Sequence, residues 1–202
     1  MAHEYEVRGS DPVFDGAIIK VRRDRVTMPG GGEALRDVVG HPGAVGVVAY
    51  DTQGRILLLF QYRHPVGQRL WELPAGLLDE PGEPALAAAK RELGEEAGLR
   101  AEQWDTLVDT FTSPGMSDEA IRIFLARGIS EIADRHERVD EEAELENEWV
   151  DLDDALFRVM HGDITNAMAV AGILAAAHAR ESNFERLRPA DAAWPARPDH
   201  AG

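Results

Sequence analysis

The 202-residue chain has no cysteine, so disulfides and thiolate chemistry are both excluded. Basic residues are scarce: 21 Lys and Arg stand against 37 Asp and Glu, a formal net charge of −16. A surface this negative repels a nucleic-acid backbone, which excludes DNA or RNA as a partner gripped by bulk electrostatics. No run of 18 uncharged apolar residues occurs although 44% of the residues are hydrophobic, so the chain reads as soluble and globular, with no membrane partner. The opening MAHEYEVRGSDP carries charges and no apolar stretch, so no signal peptide is visible. With the missing cysteines, this predicts a cytoplasmic protein. None of the seven histidines forms a metal-type pair such as H-x3-H. His64 reads as a packing or hydrogen-bonding residue, and no internal repeat is evident.

What is present is concentrated in residues 76–99, GLLDEPGEPALAAAKRELGEEAGL. The spacing predicts a helix over 84–97, with Leu86, Ala89, Leu93 and Ala97 on one face. Pro84 suits its first turn, and Gly98 suits the left-handed position after its last. Glu92, Glu95 and Glu96 fall at i, i+3 and i+4, so their carboxylates project together along one flank. Such crowding is unfavourable. Glu92 and Glu96 repel at i, i+4, and Glu95 and Glu96 add negative charge where the helix dipole is already negative. Arg91 relieves Glu95 at i+4, but one arginine does not neutralise three carboxylates. The segment reads either as a solvated acidic face or as a divalent-cation site. Carboxylates without thiols or paired histidines favour a hard cation, Mg²⁺ or Mn²⁺, over zinc.

Read from Glu83, the pattern E-x7-R-E-L-x-E-E-x-G-L resembles the box of the Nudix hydrolases, which cleave a nucleoside diphosphate linked to another moiety. One departure is visible: six residues separate Gly76 from Glu83 where the family pattern has five. The extra residue falls in a Pro/Gly-containing loop, where insertions are tolerated. The resemblance covers about residues 44–150. It implies an α+β fold, an α/β/α sandwich with a mixed sheet, preceded by a small N-terminal antiparallel β-unit. It also implies Glu92, Glu95 and Glu96 as metal ligands with the Ala75 carbonyl beside them, and Arg91 as the residue that orients the glutamates. Pro114, fifteen residues past Leu99, and the SPG…SDE run around it resemble the ADP-ribose pyrophosphatase branch. In that branch a loop glutamate in an E-x-E pattern acts as base. Glu142-Ala-Glu144 matches it, with Glu142 as base, Glu144 as a further metal ligand, and Glu141 and Glu146 as competitors for the base.

The remaining chain is read around that centre. Residues 1–42 form a β-rich unit in which Gly30, Gly31 and Gly32 make a hairpin turn rather than a phosphate loop. Such a unit has little core of its own, and the resemblance implies that it is exchanged in a homodimer. Residues 43–185 form the catalytic domain. Within it, 44–50 and 56–62 read as a buried hairpin. Arg63 at the second strand's end is either a surface arginine or a diphosphate contact. Glu72 lies in a short apolar strand leading to Ala75 and is grouped with the substrate contacts. Arg36 resembles a position near the adenine. Helices are predicted over 151–161 and 163–180. The proline-bearing tail, 186–202, reads as disordered, and Trp194 in it has no evident partner. Together these imply a pyrophosphatase for ADP-ribose. The alternatives are another nucleoside-diphosphate sugar as substrate, or a non-catalytic ADP-ribose sensor.

Overall fold

The computed structural model describes residues 2–133 and 145–197. Three strands come first, β1 (Val7–Asp15), β2 (Lys20–Thr27) and β3 (Glu33–Gly40), joined as an antiparallel meander. This sheet buries little. Val7, Val13, Phe14, Ile18 and Leu35 are all exposed.

The chain then enters β4 (Ala44–Ala49) and β5 (Arg55–Arg63), each a nearly continuous buried apolar run. Strands covered on both faces read this way. The predicted 44–62 hairpin does not form. A single Tyr50–Ile56 bridge joins the two strands, and each then pairs elsewhere. β5 lies between β10 (Glu146–Asp151) and β6 (Gln68–Glu72) in an antiparallel sheet. β4 joins a five-stranded mixed sheet of order β11-β8-β9-β4-β7, with β7 at Ala75–Leu77, β8 at Leu99–Phe111, β9 at Ala120–Glu131 and β11 at Arg188–Pro189. Within it β4 runs parallel to β9 and antiparallel to β7. A turn between two buried strands carries no information about which neighbour each will take, so this difference lies in the pairing and not in the strands.

Alternation along β4 and β5 divides the core in two. Val45, Val47, Leu57 and Leu59 face one cluster with Leu93 and Ala97 of helix α1 (Ala85–Ala97). Val48, Ile56 and Leu58 face the other, with Ala155 of α2 (Leu152–His161) and Ile173 of α3 (Ala167–Arg180). The result is an α/β/α sandwich. Asp151 caps α2 by accepting from the Asp153 N–H, and Asn166 caps α3 by accepting from the Ala169 N–H. Gly172 lets α3 lie close on the sheet: a β-carbon there would stand 2.6 Å from Cδ1 of Leu73. Among the described residues no helix is long and apolar enough to cross a membrane.

The tail departs from expectation. Pro189 pairs with Asp105 at the sheet edge, and Thr106 Oγ1 donates to its carbonyl at 2.9 Å. Trp194 stacks on the guanidinium of Arg122, 4.8 Å from the ring centroid. Proline content alone predicts disorder there. The partners that hold residues 188–197 lie 70 or more positions back in the chain, out of reach of any local reading.

Candidate active site

α1 begins after Pro84, whose extended backbone (ψ 142°) sets the entry, and ends at Gly98 in the left-handed conformation (φ 65°). Gly98 returns its N–H to the carbonyls of Gly94 and Leu93, closing the last turn. These ends fix which residues face the sheet. Ala88, Ala89, Leu93 and Ala97 are buried, and so is Glu96.

A buried carboxylate needs a donor. Glu96 finds one in the Ala75 N–H, 2.8 Å from Oε2, which ties the helix to the start of β7. One turn earlier, the Glu92 side chain lies directly over Gly76. A β-carbon at residue 76 would overlap Oε1, Cδ and Cγ of Glu92, so the glycine makes room for the carboxylate. Arg91 gathers the rest. Its Nη1 donates to Glu92 Oε1 at 2.7 Å and to Glu95 Oε2 at 3.0 Å, while Nε and Nη2 donate to the two oxygens of Glu83 at 3.2 and 3.1 Å. Donating to Glu83 raises the Arg91 pKa above its ordinary value, burial opposes it, and the charge of Glu92 and the hydrogen bonds to Glu95 and Glu92 add to it. The guanidinium is therefore a permanent cation.

Glu83, Arg91, Glu92 and Glu95 wall an open cleft of about 780 Å³, together with Leu77 and the turn that carries Asp79, Glu80 and Gly82. Asp79, Glu80, Glu83, Glu92 and Glu95 line it, five carboxylates against the one guanidinium of Arg91. A diphosphate entering such a cleft would meet net negative charge. Divalent cations remove that conflict, and carboxylate oxygens are the donors hard cations take. Among the described residues no three His, Asp or Glu side chains are placed so that they could hold a metal ion together. Arg91 serves as the counter-charge that holds Glu83, Glu92 and Glu95 around one guanidinium. In donor type the residues suit a hard divalent ion.

The structure thus brings together Ala75, Arg91, Glu92, Glu95 and Glu96. Glu142 and Glu144 lie outside the described residues. Arg63 and Glu72 form a pair, with Nη2 donating to Oε2 at 2.6 Å. Arg36 is exposed on β3 and donates to the Leu35 carbonyl. Pro114 is exposed in the β8–β9 loop, which docks on the end of β3 through Val39 N–H to Met116 O at 2.8 Å. None of these four, Arg63, Glu72, Arg36 or Pro114, lines the cleft. Sequence reasoning gave no role to Glu83, Asp79 or Glu80. The signal for Glu83 was present: it is the first fixed glutamate of the pattern, eight residues before Arg91.

The NUDIX domain family matches residues 40–169. The chain belongs to the Nudix family. Over 97% of its length it is 49% identical to the ADP-ribose pyrophosphatase of Mycobacterium tuberculosis (strain ATCC 25618 / H37Rv), covering 94% of that protein. It is 35% identical to a methanol dehydrogenase activator of Bacillus methanolicus, over 81% of this chain and 88% of that one. A crystal structure of an ADP compounds hydrolase superposes with a TM-score of 0.78 at 18% identity, covering 91% of this chain and 97% of the other, which shows a shared fold. Nudix hydrolases generally use divalent metal ions, in keeping with the donor set around Arg91. Within this Nudix domain the pattern's glutamates fall on the cleft wall or, for Glu96, on the first residue of β7.

Proposed function

We propose that the chain hydrolyses the pyrophosphate bond of ADP-ribose, giving AMP and ribose 5-phosphate, with Mg²⁺ or Mn²⁺ bound at Glu92, Glu95 and Glu96 and the Ala75 carbonyl. The observation that carries the chemistry is the cleft lined by five carboxylates and one guanidinium, Arg91, which binds three of them. The likeness to a named ADP-ribose pyrophosphatase over nearly the whole chain supports the substrate.

Water's oxygen bonds to one phosphorus, the bond from that phosphorus to the bridging oxygen breaks, and the bridging oxygen leaves with the other phosphate. Bound divalent ions supply charge neutralisation at the phosphate oxygens and an acidified water. Every other task falls to side chains. Arg91 sets the spacing of Glu83, Glu92 and Glu95. Glu96, fixed by the Ala75 N–H, holds its carboxylate toward β7. Glu142, with Glu144 two residues on in the sequence, accepts the proton of the attacking water. Arg63, oriented by Glu72, meets the diphosphate, and Arg36 with the Pro114 loop lies toward the nucleoside.

The exposed apolar side chains of the N-terminal sheet, Val13, Phe14 and Ile18 among them, support its use as a homodimer contact. On this reading residues 1–42 are the dimerisation unit, residues 43–185 the catalytic domain, and the protein acts in the cytoplasm.

Product analysis on a panel of nucleoside-diphosphate sugars with Mg²⁺ tests this. ADP-ribose is expected to be turned over best, and Glu96→Gln and Glu142→Gln to lose most of that turnover. Preference for another nucleoside-diphosphate sugar overturns the substrate. Binding of ADP-ribose without cleavage marks a sensor.

A further inference from the structure

Residues 188–197 run from the edge of the mixed sheet to Glu83, one of the residues that line the cleft. Their anchor is Arg122, a buried guanidinium on β9 that is only 3% exposed. Nε and Nη2 of Arg122 donate to the two oxygens of Asp109 at 2.8 and 3.0 Å, and Arg188 donates to the same carboxylate at 2.8 Å. The remaining Arg122 donors leave the sheet altogether. Nη1 donates to the Ala192 carbonyl at 2.6 Å, Nη2 to the Ala193 carbonyl at 3.1 Å, and the Trp194 ring covers the guanidinium. Trp194 and Ala190 also pack on the core cluster beneath α1. Three residues on, Arg197 Nη2 donates to the backbone carbonyl of Glu83 at 3.4 Å.

Glu83 is the residue whose carboxylate holds two donors of Arg91, and Arg91 spaces Glu92 and Glu95. The carbonyl that accepts from Arg197 belongs to the peptide joining Glu83 to Pro84, the cap of α1, at the end of the loop that lines the cleft. That loop carries Gly82 with a positive φ of 79° and the extra residue between Gly76 and Glu83. Its own backbone closes one turn, Glu83 N–H to the Glu80 carbonyl at 3.1 Å, and Arg197 adds a tether from outside the loop.

We propose that residues 188–197 form a strap that positions this loop, with Arg197 as the positioning residue for Glu83 and, through it, for Arg91 and the glutamates it spaces. Arg122 and Trp194 fix where the strap lies. Arg197 touches neither substrate nor cation. Its effect on turnover rests on the hydrolase reading above; its effect on the loop does not.

The test compares full-length wild type, Arg197→Ala and Arg197→Lys by two readouts. Hydrogen exchange of the metal-free protein reports on residues 79–84, where Arg197→Ala is expected to exchange about five-fold faster, as for loss of a single weak hydrogen bond. Arg197→Lys, which keeps one donor, restores part of the protection. In ADP-ribose turnover, Arg197→Ala is expected to need about five-fold more Mg²⁺ for half-maximal rate, with its thermal midpoint within about 2 °C of wild type. Unchanged exchange at 79–84 overturns the strap. So does faster exchange spread over the whole sheet with a lowered melting temperature, which is what a merely structural contact would give. If the exchange change appears but wild type does not cleave ADP-ribose, the substrate reading fails and the strap stands.

Discussion

Arg63 and Glu72 hold each other across neighbouring strands: Nε donates to both carboxylate oxygens and Nη2 to Oε2, and the Glu72 carboxylate is almost fully buried. Removing the arginine strands a buried charge, which costs more than the pair contributes. Because the Arg63 side chain is 44% exposed, water recovers part of that loss. Arg63→Ala is expected to lower stability by about 2 kcal/mol in urea unfolding. The double variant Arg63→Ala, Glu72→Gln should be more stable than Arg63→Ala alone. Additive losses in that cycle would show that the two do not interact.

Gly76 is demanded by Glu92 and not by backbone conformation, because its φ is not among the positive ones. Gly76→Ala should therefore fold, with stability within about 1 kcal/mol of wild type, while its methyl displaces the Glu92 carboxylate. A displaced metal-ligand glutamate predicts a loss of about 10- to 100-fold in kcat for ADP-ribose. Full activity in a well-folded Gly76→Ala would remove Glu92 from the ligand set.

The helix that carries these glutamates was legible because every signal for it is local. Apolar spacing, Pro84 at the entry and Gly98 at the exit all lie within the helix or one residue outside it. The strand β1 was less visible, since Gly9, Asp11 and Pro12 are poor strand formers and only pairing with β2 extends them. The 44–62 region shows the limit most clearly. Both strands could be read from their apolar runs, yet their separate sheets depend on β9 and β10, which come 57 or more residues later. Arg122 and Trp194 fail for the same reason. A buried arginine inside an apolar strand signals an unseen partner, but nothing local says that the partner is the tail.

The crowding around Arg91 makes a prediction that needs no turnover. A cation that binds the folded cleft and not the unfolded chain stabilises by mass action, about 2.7 kcal/mol at a hundred times its dissociation constant. For a chain of this length that is a rise of about 5–10 °C in melting temperature. Mg²⁺ or Mn²⁺ should produce such a rise in wild type, EDTA should reverse it, and Glu92→Gln combined with Glu96→Gln should abolish it. Melting that ignores both ions would leave Arg91 as the sole counter-charge of the cluster.

The strap's anchor carries an acid dependence of definite sign. Burial by itself would raise the Asp109 carboxyl, but hydrogen bonds from Arg122 and Arg188, together with their charges, outweigh it and hold the pKa below the ordinary carboxylate value. In the unfolded chain that carboxyl returns to about 3.9. A group whose folded pKa is depressed stabilises fully above the unfolded value and loses that contribution as pH falls through the folded one. Stability from the Asp109–Arg122–Arg188 cluster should accordingly be constant from neutrality down to about pH 4 and decline below it. Asp109→Asn should cost about 3 kcal/mol at pH 7, because the buried Arg122 loses its charged partner, and its stability should fall less steeply than wild type between about pH 4 and pH 2. Urea unfolding at stepped pH measures both. Parallel acid limbs in the two proteins would show that Asp109 titrates in the folded state as it does in the unfolded chain, which the two arginines at 2.8 to 3.0 Å argue against.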